Sequence, residues 1–203
     1  MKLNKAMKHW TLRISCLAIA TFAFSALGAQ SFKLSPDKPY EVYVSGGSTL
    51  HDWTATVNNV IDIPPTMTIN LKEGGVIESF GFKAEGKSME GGRGSTMDNK
   101  IYKAVKCDVH PYITYKQTAP AKLQAAGKDQ FKLISKGIVS VAGMDKEIEV
   151  EVMASLKDGV LTFTGEEPMK LSDFEIDPPS ALFGQIQTKD DITVHFTINY
   201  QAE

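Results

Sequence analysis

The segment at residues 48–53 brings together the groups of this chain best suited to chemistry. It reads Ser-Thr-Leu-His-Asp-Trp and follows Gly46 and Gly47. A hydrolase relay needs a hydroxyl, an imidazole and a carboxylate that converge in space. On a strand, however, Asp52 points to the face opposite that of His51 and Trp53. The segment therefore favours polar groups that hydrogen-bond at a bend, with Trp53 as a core or pocket aromatic.

Three histidines beyond residue 29 could be metal ligands: His51, His110 and His195. Metal-binding pairs usually lie four residues apart on a helix or two apart on a strand, and no pair here has either spacing. The chain also lacks a phosphate-binding loop, a dinucleotide fingerprint and a nucleophile elbow. We therefore expect no metal, no cofactor and no enzyme activity.

The first 29 residues have the features of a secretory signal peptide. They carry four basic residues and no acidic ones, and the stretch at 14–27 is almost wholly apolar. A stable membrane span needs about 20 apolar residues, so this stretch is too short to be one. Small residues at 26–29 predict cleavage after Gly28 or Ala29. We expect an exported, periplasmic protein with a single domain at 30–203.

The net charge limits which partners the protein is expected to bind, and the cysteine content shows whether a disulfide can stabilise it. Removal of residues 1–29 takes away four of 22 basic residues and none of the 24 acidic ones, so the net charge moves from −2 to −6. Nucleic acid is therefore excluded as an expected partner. Cys16 leaves with the signal, which excludes an internal disulfide. The remaining Cys107 is expected to be buried.

Alternating apolar and polar residues dominate the rest of the chain and predict strands with one buried face. In the stretch from Lys146 to Val152, acidic residues alternate with Ile148, Val150 and Val152. Asp158-Gly159 and Gly143-Met144 predict tight hairpins. We expect eight or nine antiparallel strands, near 40–46, 49–57, 66–73, 76–85, 110–118, 130–142, 145–157, 160–167 and 191–201. Such long neighbouring hairpins favour an all-β, eight-stranded antiparallel up-and-down barrel over a sandwich.

One stretch, at residues 95–105, follows a helical period. Met97, Ile101, Ala104 and Val105 lie at helical spacing, and Ser95 with Asp98 has the pattern of a capping box. A short helix here could close one end of the barrel, or it could only cover core surface.

Ordered motifs in the second half are similar to those of the YceI-like family of exported lipid-binding proteins. A strand–glycine–strand pattern at 131–146 resembles the family signature, and its order is kept at 161–165, 171–176 and 192–196. The segments at 97–104 and 111–115 also match, so the resemblance covers about residues 80–200. The chain departs from the family pattern at residues 48–53, at Glu175 in place of a glycine, and in the insert at 177–184.

The resemblance implies a lipocalin-like barrel whose apolar interior holds a long polyisoprenoid, such as an isoprenoid quinone or its precursor. Side-chain alternation then selects inward-facing candidates for ligand contact: Trp53, Met67, Ile69, Phe80, Phe82, Tyr112 and Phe196. The helix and the proline-rich loop are expected to form the mouth, with Met97, Ile101 and Phe183 lining it.

Three functions follow from the sequence. The first is a periplasmic module that holds an isoprenoid or other long-chain lipid for transport or storage. The alternative is a filled, ligand-free barrel that acts as a stress-related or interaction protein. The third is a hydrolase that uses His51 and Asp52. The sequence does not choose between a monomer and a homodimer.

Overall fold

The computed structural model describes residues 28–203. The predicted signal peptide lies outside the described residues, apart from Gly28 and Ala29. The described part contains sixteen strands and one α-helix, together with 3-10 turns at Gly86–Ser88 and Leu171–Phe174. The strands are β1 Gln30–Leu34, β2 Tyr40–Ser48, β3 Trp53–Val57, β4 Val60–Ile61, β5 Thr66–Ile69, β6 Val76–Ile77, β7 Gly81–Glu85, β8 Met89–Glu90, β9 Tyr112–Gln117, β10 Ala121–Lys122, β11 Gln124–Gly127, β12 Gln130–Val141, β13 Met144–Lys157, β14 Val160–Lys170, β15 Ser180–Ala181 and β16 Ile186–Ala202; helix α1 is Ser95–Ala104.

Most of these strands form one curled antiparallel sheet. Its hydrogen-bonded order is β4-β7-β9-β12-β13-β14-β16-β2-β3-β8, with β1, β5, β11 and β15 paired alongside. The all-β, antiparallel prediction is confirmed, as is the single short helix. The predicted count of eight strands is too low, because short strands such as β1 and β15 lack a long alternating pattern. Interruptions also divide longer strands, for example at the turn Gly86–Ser88 between β7 and β8.

The long strands follow the alternation seen in the sequence. On β13, Val150 and Val152 are buried, while Glu149 and Glu151 are exposed and pair with Lys136 and Lys132 of β12. The hairpin between β13 and β14 turns at Asp158 and Gly159, both with positive φ, as the predicted Asp-Gly hairpin requires. This alternation leaves one apolar face inside the curl and one polar face outside.

The strand predicted at 49–57 begins only at Trp53 because the preceding residues form a bend. The Ser48 hydroxyl donates to the His51 carbonyl oxygen at 2.7 Å. The Ser48 Oγ in turn accepts the backbone amides of Leu50 and His51, each at 3.2 Å. These local bonds compete with strand pairing, as predicted for the polar groups of this segment.

Most of the largest fully buried side chains fill the end of the sheet at which β1 pairs with β5 and with the last residues of β16. They include Phe32, Ile69, Leu123, Leu161 and Tyr200. The Tyr200 hydroxyl donates to the Pro64 carbonyl oxygen at 3.0 Å. Burial raises the pKa of this phenol well above its ordinary value, so it remains a donor.

Replacement of Tyr200 by phenylalanine is expected to destabilise the fold without changing its shape. The variant removes the hydrogen bond that the phenol donates to the partly buried Pro64 carbonyl, which costs about 0.5–1.5 kcal/mol. Urea denaturation at neutral pH measures this loss. A free energy of unfolding equal to that of the wild type would show that water replaces the phenol at no cost.

Helix α1 begins differently from the prediction. Its N-cap is Gly94, with φ of 80°, and no side chain caps the helix, so the predicted Ser95–Asp98 capping box is wrong. The Asp98 carboxylate instead accepts the Gly91 amide at 2.8 Å, which ties the helix to the end of β8. Cys107, just after the helix, is buried as expected.

Candidate functional site

A cavity of about 330 Å³ lies inside the curled sheet. This size falls at the lower end of the range of ligand cavities, about 300–1,000 Å³. Its wall is built from the inward faces of the long strands and from one side of α1. Apolar side chains make up most of the wall, among them Val42, Val44, Ile77, Leu133, Ile148, Val150, Val152, Phe163, Met169, Phe174, Val194 and Ile198.

Seven of the ten side chains predicted to contact a ligand lie in this wall. Four of them come from strands: Trp53, Met67, Phe82 and Phe196. Phe80 lies directly before β7, and Met97 and Ile101 come from α1. Ile69 is only 1% exposed and packs in the apolar cluster beside the cavity rather than in its wall. Contact of these residues with a ligand stays a prediction.

The inward orientation predicted for Tyr112 is wrong. Tyr112 is 42% exposed, and the Lys83 ammonium lies over its ring at 3.8 Å on the outer surface. On β9 the inward positions are Ile113, Tyr115 and Gln117 instead. The outward face of β9 thus carries Tyr112 together with Thr114 and Lys116, which is a polar set.

The position predicted for Phe183 at the mouth is also wrong. Phe183 lies at the tip of the β15–β16 hairpin, fully exposed, and does not line the cavity. Leu182 and Phe183 both have positive φ and form the turn of this hairpin. Other residues of this hairpin, including Ser180, Ala181 and Ile186, do line the cavity.

Polar side chains gather at one end of the cavity, which we call the rim: Ser48, His51, Lys100, Ser180 and Thr188. Three elements meet here. The Lys100 ammonium of α1 donates to the Ser180 carbonyl oxygen at 3.0 Å, and the Thr49 amide donates to that of Gln187 at 2.9 Å. The rim therefore joins the helix, the bend at 48–53 and the β15–β16 hairpin.

The bend at 48–53 does not place its serine, histidine and aspartate as a relay. The Arg93 guanidinium donates to His51 Nε2 at 2.8 Å, so this nitrogen accepts. His51 Nδ1 then donates to the Asp52 backbone carbonyl at 3.0 Å. The Ser48 hydroxyl contacts backbone groups rather than the imidazole. The geometry needed for the hydrolase hypothesis is absent from this segment.

The three histidines are also not brought together as metal ligands. His195 stacks on Tyr43 with ring centroids 4.5 Å apart, and its Nε2 lies 2.9 Å from the Ser45 hydroxyl. His51 is held at the rim, and His110 is exposed beside Gly143. Within residues 28–203 no cluster of three or more His, Cys, Asp or Glu side chains could hold a metal ion.

Three aromatic rings lie over glycines on neighbouring strands of the inner wall. A Cβ added at Gly46, Gly137 or Gly165 would come within 2.5 Å of the ring of Trp53, Tyr115 or Phe196, respectively. Gly46 pairs with Trp53 and Gly165 with Phe196 in register. Because a glycine has no side chain, each ring can lie against the wall instead of filling the cavity. The Trp53 indole is further held by a 3.1 Å bond to the Gly47 carbonyl oxygen.

Away from the rim, four polar side chains interrupt the apolar wall: Tyr115, Gln117, Ser135 and Glu167. The sequence-based choice of inward residues omitted all four because it selected large apolar side chains. Alternation alone could have placed Glu167 inward, since it shares a face of β14 with Phe163 and Met169. Burial raises the pKa of the Glu167 carboxyl, and the nearby Lys146 opposes this shift.

Replacement of Glu167 by glutamine is expected to stabilise the protein at neutral pH. A raised native-state pKa means that the folded state binds more protons than the unfolded state in the window above the ordinary value of 4.5. The free energy of unfolding therefore falls as pH rises through this window and stays lower above it. The free energy of unfolding of the variant should not fall as pH rises through this window, and below the window it should equal that of the wild type. Urea denaturation at a pH below the window and at neutral pH measures both values. An equal pH dependence of stability in the two proteins would contradict the expectation.

Comparison with known proteins places the fold but gives no close relative. No protein-family model matches this sequence, and no curated protein does. Among solved structures, BcnA of Burkholderia cenocepacia superposes with a TM-score of 0.60 at 14% identity, over 79% of this chain and 95% of that one. The YCEI protein of Campylobacter jejuni gives 0.53 at 17% identity, over 73% and 84%. The chain has the YceI-like fold.

A third solved structure carries a ligand class in its description. It is a polyisoprenoid binding domain from Saccharophagus degradans implicated in plant cell wall breakdown, with a TM-score of 0.58 at 9% identity. The match covers 86% of this chain and 99% of that domain. The fold shared with this chain thus extends over nearly the whole of that domain.

Proposed function

We propose that this protein binds an isoprenoid or other long-chain lipid in its cavity and carries or stores it. The observation that carries the proposal is the apolar cavity of about 330 Å³ inside the sheet. Each methylene that leaves water contributes about 0.8 kcal/mol, so a hydrocarbon chain binds such a wall without charged contacts. The polyisoprenoid-binding domain of the same fold supports this ligand class.

We also propose that the sheet closes into a barrel of eight staves. In this arrangement β3 and β4 form one interrupted stave, and β7 and β8 form its neighbour. The ladders β3–β8 and β4–β7 support the pairing. Two bonds support continuity across the interruptions: the Asn58 amide donates to the Ser88 carbonyl at 3.2 Å, and the Glu85 amide to that of Asn59 at 2.9 Å. A closed barrel leaves no exposed sheet edge and encloses the ligand.

The cellular setting is a proposal from the sequence: membership of the YceI-like family, export through a cleaved signal and residence in the periplasm. No helix within residues 28–203 is long and apolar enough to cross a membrane. N-terminal sequencing of the protein recovered from a periplasmic extract should give Ala29 or Gln30 as the first residue. A first residue of Met1, or recovery in the cytoplasmic fraction alone, would contradict export.

Titration with an apolar fluorescent probe tests the binding role. The delipidated protein should enhance probe fluorescence in a saturable way, and a polyprenol or an isoprenoid quinone should displace the probe. A filled barrel that acts as a stress-related or interaction protein should show neither response. The proposal concerns binding rather than catalysis, and the absence of a relay at His51 supports it.

A further inference from the structure

Three of the four polar side chains in the wall away from the rim, Tyr115, Ser135 and Gln117, form one hydrogen-bonded series. The Gln117 amide nitrogen donates to the carbonyl oxygens of Ile77 and Ala119, at 3.0 and 2.8 Å. These two bonds use both of its hydrogens and turn its side-chain oxygen toward Ser135. The Ser135 hydroxyl donates to that oxygen at 3.4 Å. The Tyr115 and Ser135 hydroxyl oxygens lie 2.6 Å apart, and either could donate to the other. With the Ser135 proton directed to Gln117, the Tyr115 hydroxyl is the donor of this pair.

The direction of these hydrogen bonds determines whether the three side chains can donate to a ligand or accept from it. Every donor hydrogen is in use: two on Gln117, one on Ser135 and one on Tyr115. What remains available is oxygen lone pairs. Burial raises the pKa of the Tyr115 phenol, so it keeps its proton. While ionised, the Glu167 carboxylate in the same wall is also an acceptor.

The Tyr115 ring lies in the wall of the cavity together with Ser135 and Gln117. A Cβ at Gly137 would lie 2.5 to 2.6 Å from the outer ring carbons and hydroxyl oxygen of Tyr115. The end of the ring therefore lies flat on the inner face of β12, with its hydroxyl beside Ser135. Phe82 stacks on Tyr115 at 6.0 Å between ring centroids and keeps the surroundings apolar. A hydrogen bond is stronger in such surroundings than in water.

We propose that Tyr115, Ser135 and Gln117 form a binding site for the hydroxyl group of a lipid alcohol, such as a polyprenol or an isoprenoid quinol. The site accepts a hydrogen bond and has none to give, so it favours ligands that carry a donor. An isoprenoid quinone or a lipid ether has only acceptor oxygens and leaves this site without a partner. This inference rests on the proposed lipid binding and specifies the ligand class within it.

Competition binding with matched ligands tests the inference. A polyprenol and its O-methyl ether, with the same chain, displace the fluorescent probe from the wild-type protein. The alcohol should bind about 2- to 12-fold more tightly, which corresponds to about 0.5–1.5 kcal/mol for one neutral hydrogen bond. An isoprenoid quinol should likewise bind more tightly than its quinone. Equal affinities within both pairs would overturn the inference while leaving lipid binding intact, whereas no displacement by any ligand would overturn both proposals.

Two variants on β9 test whether the preference for the alcohol over the ether depends on Tyr115. Tyr115→Phe removes the accepting oxygen and should reduce the alcohol-to-ether ratio to about one, with the affinity for the ether kept within about twofold. Tyr112→Phe makes the same chemical change on the outward face and should keep the wild-type ratio. Should Tyr115→Phe fail to fold, Ser135→Ala serves in its place with the same expected loss. A ratio that survives Tyr115→Phe or its replacement would contradict the assignment.

Discussion

Ile148→Trp is expected to abolish lipid uptake while the protein stays folded. Ile148 lines the cavity from the middle of β13 and is only partly buried, so a larger side chain has open space to occupy. The indole would take the space of several ligand methylenes. Loss of about four methylene contacts at about 0.8 kcal/mol each weakens binding by more than about 100-fold. Probe titration measures the affinity, and circular dichroism checks the fold.

Glu147→Trp is the matched control for this variant. Glu147 is adjacent on the same strand and exposed on the outer face. The same tryptophan there should leave the affinity within about twofold of the wild type. If Glu147→Trp and Ile148→Trp lowered binding equally, the ligand would not occupy this cavity.

Gly46→Ala is expected to destabilise the protein and to weaken lipid binding together. The new methyl group would lie 2.5 Å from the Trp53 ring, and no other group lies as near. The ring must therefore move into the cavity, which breaks its bond to the Gly47 carbonyl. Overpacking of this kind costs about 1–3 kcal/mol. Thermal or urea denaturation and the probe titration are the two measurements.

Gly47→Ala controls for the change in backbone freedom. It adds the same methyl group one residue later, where the nearest atoms belong to the flexible Lys189 side chain at 3.0 Å. A glycine-to-alanine change in a strand alters backbone entropy equally at both sites, so the difference between the variants reports contact with Trp53. Equal stabilities of the two variants would contradict the role assigned to Gly46.

Strand alternation predicted part of the cavity wall because the inner face of a sheet repeats every second residue. Phe82 and Phe196 lie on the inner face as their strands require, and Phe80, directly before β7, also lines the cavity. Tyr112 was misplaced because β9 carries large residues on both faces: Tyr112 is amphipathic, and Ile113 and Tyr115 follow it. The polar residues Thr114 and Lys116 share the face of Tyr112, and they mark that face as the outer one.

Other features depend on tertiary structure that no local pattern encodes. Phe183 is large and apolar, yet a hairpin tip with positive φ at two successive residues holds it in solvent. The contacts of Trp53, Tyr115 and Phe196 with glycines on neighbouring strands depend on register. A sequence reading that weighed side-chain size also overlooked Ser135 and Gln117, whose inward positions follow from alternation but whose bonds do not.

Native mass spectrometry of the protein purified from the periplasm tests the account most directly. The wild-type protein should carry added mass that organic extraction releases as an isoprenoid or other long-chain lipid, and Ile148→Trp from the same preparation should carry none. Wild-type protein of bare mass that stays bare after incubation with polyprenols and isoprenoid quinones would contradict lipid binding and would support a filled barrel.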